Sequence, residues 1–232
     1  MSGHGGYSGI GGGVRGGTGA TKVELASGGH IDLKDMPLKY GKYDQSLNNK
    51  QRETLDVFEK SHRDEKYKEH GILLDKNGNV IEEKVGKSGE VVMSSEGYSR
   101  AEVMSHNHNK SDSGRLGGTF SVADAKVFGK HDNLKTMRAT SKEGTYSITK
   151  KKGFDKSKFV SYIEKEREKS FSTYTKREGE LTRAYESGKM KMIDYKASIQ
   201  KERNAHNVRM HNVFLQGQSK YGYDYTLERR RK

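Results

Sequence analysis

Short apolar runs broken by turn signals are concentrated in one stretch of this chain, residues 67–150, and that stretch decides where a core can form. Before it, residues 1–30 contain twelve glycines and few apolar side chains. Such a stretch cannot bury enough surface to offset its backbone entropy, so a disordered arm is expected. "GIGGGVRGGTG" within it is not a phosphate loop, because no apolar strand precedes it and no Gly-Lys-Ser/Thr follows. Residues 31–45 form a connector with the chain's one proline, Pro37. After the central stretch the chain becomes charged and helical in period. Hydrophobic residues make up 30% of the 232, against roughly 45–50% in a typical globular chain, a share that also counts glycine, so a compact centre flanked by parts that bury little is expected. The organisation expected is an arm at 1–30, a domain at 31–150 and a basic helical extension at 151–232.

Within the centre, Ser46 to Tyr67 reads as a helix capped by Ser46, with Leu47, Leu55 and Phe58 near one face. "EHGILLDKNGNVIEEKVG" reads as a hairpin, Gly71–Asp75 against Asn79–Glu83, turning at Asn77-Gly78. "EVVMS" at 90–94 reads as a third strand, and Ala101–Ser105 as a strand leading into two histidines. Ser121 caps a short helix, and Thr136–Thr140 with Thr145–Thr149 forms a second hairpin turning at Glu143-Gly144. Two long helices follow, Lys156–Glu186 and Met190–Ser219, broken at Ser187-Gly188. Phe159, Ile163, Phe171 and Tyr174 stripe the first; Ile193, Ala197, Val208 and Phe214 stripe the second more weakly, as an antiparallel pair would need. The fold class expected is α+β: a small mixed β-sheet with flanking helices, followed by a helical hairpin.

Charge is uneven. Residues 151–232 hold 21 Lys/Arg against 11 Asp/Glu, which is +10 of the chain's +13. This suits nucleic acid or an acidic protein surface as a partner, or simply a solvated helix face. "YGYDYTLERRRK" at the end either stacks on single-stranded nucleic acid or docks its tyrosines on the body. No apolar run reaches the roughly 20 residues needed to cross a bilayer, and no signal-peptide plan opens the chain, so a cytoplasmic protein without a membrane partner is expected. There is no cysteine, so a metal must be held by His, Asp, Glu and water.

His106 and His108 are two residues apart, and side chains at i and i+2 of an extended segment project to one side. Asp124, at the start of a helix, can supply a carboxylate. Two imidazoles, one carboxylate and an open position form the catalytic arrangement for zinc, which makes a water nucleophilic at neutral pH. Hydrolysis also needs a base, for which Glu69 is the candidate, and Ser121 can support the developing oxyanion. His206 and His211 are five residues apart on a helix, turned about 140° from each other, and do not suit a shared metal.

The order Glu69, then His106-Asn107-His108, then Ser121-x-x-Asp124 resembles the JAMM motif of JAB/MPN domains. The wording "LLDKNGNVI…SHNHN…GGTFSVAD…GTYSITK" is similar to those encoded by phages, prophages and polymorphic toxins. The resemblance covers residues 46–150 and implies a zinc-dependent peptidase or isopeptidase. By it, His106, His108 and Asp124 hold Zn2+, Glu69 is the acid/base and Ser121 assists the oxyanion. The chain departs from the pattern at Asn109, where the family has proline, and in the long polar spacer "KSDSGRLGG", which brings Asp112 as a rival ligand. Related domains also persist as scaffolds without the site. The expectations are therefore a phage or mobile-element hydrolase of a protein or peptide substrate, in the host cytoplasm or virion-associated. The rivals are a non-catalytic head-assembly scaffold and a basic nucleic-acid-binding protein. "His-Asn-His" is not the signature of HNH nucleases, whose residues are spread over a ββα unit.

Overall fold

The computed structural model describes residues 22–24, 30–32, 46–109, 118–141 and 144–229. Most of the expected arm, Pro37, Asp112, Glu143 and Arg230–Lys232 lie outside the described residues. Two short strands from the N-terminal region lie inside: β1 (Lys22–Glu24) and β2 (His30–Asp32), paired antiparallel with Val23 opposite Ile31.

The first helix, α1 (Asn49–His62), is capped by Asn48 rather than Ser46. Asn48 accepts from the Gln51 N–H at 2.9 Å, and the Gln51 side chain accepts from the Asn48 N–H at 3.0 Å. This reciprocal box satisfies two backbone donors at once, which a lone serine cannot. The expected hairpin forms as β3 (His70–Leu74) and β4 (Val80–Val85), with Gly78 at φ +82° in the turn, a left-handed conformation that glycine adopts freely. Glu90–Ser94 does not form the expected strand. Glu90 makes an isolated bridge to Lys87, and Ser94 caps α2 (Ser95–Arg100) while donating to the Glu82 carboxylate. Local side-chain bonds win there over a ladder.

The remaining elements are β5 (Val103–Asn107), α3 (Val122–Lys130), β6 (Thr136–Thr140), β7 (Gly144–Lys150), α4 (Lys156–Glu186), α5 (Met192–Tyr221) and β8 (Tyr223–Arg229). The hairpin β6–β7 keeps the expected register, Thr136 opposite Thr149 and Thr140 opposite Thr145. The sheet is mixed, in the order β4-β3-β5-β6-β7-β8; β5 and β6 are parallel and the other neighbours antiparallel. Flanking helices and a C-terminal helical pair complete the expected fold class. The terminal tyrosines enter the sheet: β8 pairs along β7, and Tyr223 and Tyr225 are buried. They are not available to stack on nucleic acid.

The two sheet faces differ in chemistry because side chains alternate along each strand. Met104, Met137, Ala139, Tyr146, Ile148 and Tyr225 share the main core with Phe128 of α3, Phe159 and Ile163 of α4, and Phe214 of α5. On the other face, α1 packs Leu55 and Phe58 against Ile72, Leu74 and Val103. Full burial of a side chain such as Leu55 stabilises by roughly 1.5–3 kcal/mol. The rest of that face is polar: Ser105, Arg138, Thr145 and Ser147 are all buried. The apolar stripe of the helical pair is used only near the sheet. Phe171 is 42% and Ile193 74% exposed. The outer part of the pair is joined by polar and ring contacts, including Ser170 with His206 at 2.8 Å and Tyr185 stacked on Tyr195. No helix among the described residues is long and apolar enough to cross a membrane.

Candidate metal centre

His106 is the fourth residue of β5, on the same face as Met104. His108 lies just past the strand, but its N–H donates to the Thr140 carbonyl at 2.8 Å, which extends the β5–β6 ladder and keeps the segment straight. Both imidazoles therefore leave the same side. Asp124 reaches them from the first turn of α3, which follows β5 in the chain.

Ser121-x-x-Asp124 forms a second capping box. The Ser121 hydroxyl accepts from the Asp124 N–H at 3.1 Å, and Asp124 Oδ2 accepts from the Ser121 N–H at 2.7 Å and the Ser121 hydroxyl at 2.8 Å. The cap orients the carboxylate, and the positive end of the helix favours its charge. The Ser121 hydroxyl, expected to support an oxyanion, gives its one proton to Asp124 Oδ2.

The two imidazole Nε2 atoms and the Asp124 carboxylate converge. His106 Nε2 is 3.0 Å from His108 Nε2 and 3.3 Å from Asp124 Oδ1; His108 Nε2 is 3.8 Å from Asp124 Oδ2. Tetrahedral bonds of about 2.0–2.1 Å place neighbouring ligand atoms roughly 3.3 Å apart, so this spacing fits zinc. His108 Nδ1 donates to the Gly118 carbonyl at 2.8 Å, the second partner that fixes a ligating tautomer and leaves Nε2 as a lone pair. His106 Nδ1 is buried with no hydrogen-bond partner among the described residues. His106, His108 and Asp124 form a His-His-Asp group that can hold a metal ion.

Charge couples the group. Burial works to raise the Asp124 carboxyl, but His106 and His108 hold it well below the usual carboxylate range. Burial works to lower His108, and the hydrogen bond and charge of Asp124, followed by Glu69 and the Gly118 carbonyl, outweigh it and raise it.

Glu69 immediately precedes β3 and is buried. Gly71 stands opposite His106 in the antiparallel β3–β5 ladder, and continuing that register two residues sets Glu69 opposite His108. Asn107, between the histidines, points to the other face and is fully buried. Its side chain accepts from the His70 N–H at 2.5 Å and donates to the Lys68 carbonyl at 3.2 Å, so it grips the backbone on both sides of Glu69. Sequence reading passed over Asn107; its position in the His-x-His strand was the available signal. Asn109, in place of the family's proline, is buried and reaches Ser88 Oγ at 3.4 Å. His206 and His211 do not join a metal group among the described residues; His211 Nδ1 meets the Tyr225 hydroxyl at 2.7 Å.

Glu69, His106, His108, Ser121 and Asp124 all line one cleft of about 700 Å³. Its opposite wall comes from α4 and α5, with Arg167, Phe171, Tyr174, Arg203 and His206. Phe171 and Tyr174, expected in the helical stripe, line the cleft. Comparison with known proteins finds no matching family, no matching curated protein and no matching solved structure.

Proposed function

We propose that the protein is a zinc-dependent hydrolase of peptide or isopeptide bonds, resembling JAB/MPN metallopeptidases. The observation that carries this reading is the convergence of His106, His108 and Asp124 in a cleft that also contains the buried Glu69. Zinc held by these three residues supplies a water acidic enough to ionise near pH 7 (about 7 in the best-known cases). The chain's own groups do the rest. Glu69 takes the proton from the attacking water and returns it to the leaving amine. Asn107 keeps the Glu69 backbone in place, and Ser121 fixes Asp124 and borders the space where the amide carbonyl oxygen would sit. A phage or mobile-element origin, with a protein or peptide as substrate, accompanies this reading through the resemblance alone.

One observation favours a second reading, a non-catalytic scaffold. The Ser121–Asp124 box caps α3 without any metal, and Asp124 is already paired to both histidines. The test is elemental analysis of the purified protein beside a His106→Ala/His108→Ala double variant, followed by cleavage assays on peptide and isopeptide-linked substrates. About one zinc per chain that is lost in the variant, with cleavage that tracks zinc, supports the hydrolase. No zinc after incubation with the metal leaves the scaffold.

A further inference from the structure

The cleft is polarised. One wall carries Glu69 beside β3, Asp124 on α3 and Glu90, and the wall from α4 and α5 carries Arg167 and Arg203. Neither arginine has a carboxylate within ion-pair distance among the described residues, whereas Arg177, one face further along α4, meets Glu180 and Glu202. Arg167 is held by a ring, and Arg203 by a phenol hydroxyl that in turn donates to Glu178. The Arg167 guanidinium lies 4.4 Å from the centre of the Phe171 ring, one turn on, and Arg203 Nε donates to the Tyr174 hydroxyl at 3.4 Å. These contacts orient the two cations and leave donors unspent. Arginine presents a fork that matches a carboxylate, and a guanidinium on a ring is ordered before the ligand arrives.

We propose that Arg167 and Arg203 form a carboxylate subsite for the bound peptide, with Phe171 and Tyr174 as its apolar floor. This rests on the hydrolase reading for its orientation, the amide lying toward Glu69 and the carboxylate toward the helices. The substrate class is then a peptide that carries an acidic side chain or a free C-terminal carboxylate close to the cleaved bond. A cationic peptide is disfavoured by the same two residues. The +10 of the C-terminal region thereby acquires a local use distinct from a general affinity for polyanions.

The experiment is fluorescence-anisotropy binding of short labelled peptides of one Gly/Ala/Ser background. One has two internal Glu and an amidated end, one has Gln in their place, and one has Gln with a free C-terminal carboxylate. A single-stranded oligonucleotide serves as competitor. Wild type, Arg167→Gln/Arg203→Gln and His106→Ala/His108→Ala proteins are compared. The first or third peptide should bind about tenfold tighter than the amidated Gln peptide, which identifies the carboxylate's source. That preference should vanish in the arginine variant, whose altered side chains are exposed, and shrink as salt is raised. It should survive in the histidine variant. Equal binding of all three peptides, a preference unchanged in the arginine variant, or displacement by the oligonucleotide as effective as by the Glu peptide overturns the subsite. Zinc binding without a carboxylate preference refutes the subsite alone; a carboxylate preference without zinc refutes the hydrolase alone.

Discussion

The sheet carries a buried charge cluster on each face, and the two are built oppositely. On the α1 face, Arg138 is fully buried and forks twice: Nε and Nη2 reach Glu59 at 2.6 and 3.1 Å, and Nη1 and Nη2 reach Glu228 at 3.2 and 3.0 Å. Glu59 also accepts from Ser105 and Thr145. Four guanidinium bonds meet the two carboxylates, and although burial opposes the guanidinium's charge, the two glutamates raise its pKa. On the opposite face, the lone pair of His108 Nε2 and the Asp124 carboxylate converge with His106 Nε2, while His106 Nδ1 is unpartnered. The first cluster carries its own counter-charges and reads as structure, with the neighbouring Ser147 and Thr226 hydroxyls buried without partners among the described residues. The second gathers electron pairs about a common centre and can hold a metal ion.

The largest effect should come from opening the first cluster. Arg138→Met leaves two carboxylates without their counter-charge, and urea denaturation should show a loss of roughly 3–5 kcal/mol. Zinc uptake by the protein that still folds should match wild type. A mild loss of stability, or loss of zinc with full stability, would erase the distinction between the faces.

The second cluster should respond to metal rather than to its own pairs. Zinc at a hundredfold excess over its Kd should stabilise the wild type by about 2.7 kcal/mol. Asp124→Asn retains a cap acceptor but removes the charge, and thermal melts should show that it forfeits the zinc-induced gain. An equal gain in the variant would remove Asp124 from the ligand set.

Asn107 joins the two faces, since it lies on the α1 side of β5 yet holds the backbone about Glu69. Asn107→Ala abandons two buried main-chain bonds, at a cost of about 1–3 kcal/mol. It should keep zinc and lose turnover through kcat rather than KM. A variant that cleaves at the wild-type rate would show that Glu69 needs no such clamp.

Much of this was legible in the sequence because it depends on local spacing. The β6–β7 register, the Asn77-Gly78 turn and the end of α4 at Glu186 follow from period and punctuation, and so does the approach of His106 to His108. Ser121-x-x-Asp124 was legible twice over, as a helix start and as a ligand position. What escaped was set by distant partners. Arg138 looks like a surface residue in "KTMRAT" until Glu59 and Glu228, 79 and 90 residues away, close on it. Glu90–Ser94 alternates like a strand, but Glu82 and the α2 cap take its polar groups. The terminal tyrosines read equally well as a nucleic-acid surface until β7 offers them an edge.

Lys150 tests the comparison at its weakest point, as a shielded charge with no carboxylate bound to it. Its ammonium donates to the His131 carbonyl at 2.6 Å and lies over Phe128 and Phe154, 4.7 and 5.3 Å from the ring centres. Burial lowers its pKa to about 8, against a partial offset from Asp132. An ordinary lysine titrates near 10.4. Between these two values the unfolded chain keeps a proton that the folded chain has released, so stability should rise with pH across that window. Below about 8 the full cost of the charge is present. Lys150→Met should remove this rise and stabilise the protein near pH 7 by about 1 kcal/mol, after discounting for solvent at the open side. Denaturation midpoints taken from pH 7 to 10.5 (about the lysine range) give the slope directly. An unchanged slope in the variant would mean that the two rings and the His131 carbonyl solvate the ammonium as well as water does, and a neutral partner would then suffice where Arg138 has two carboxylates.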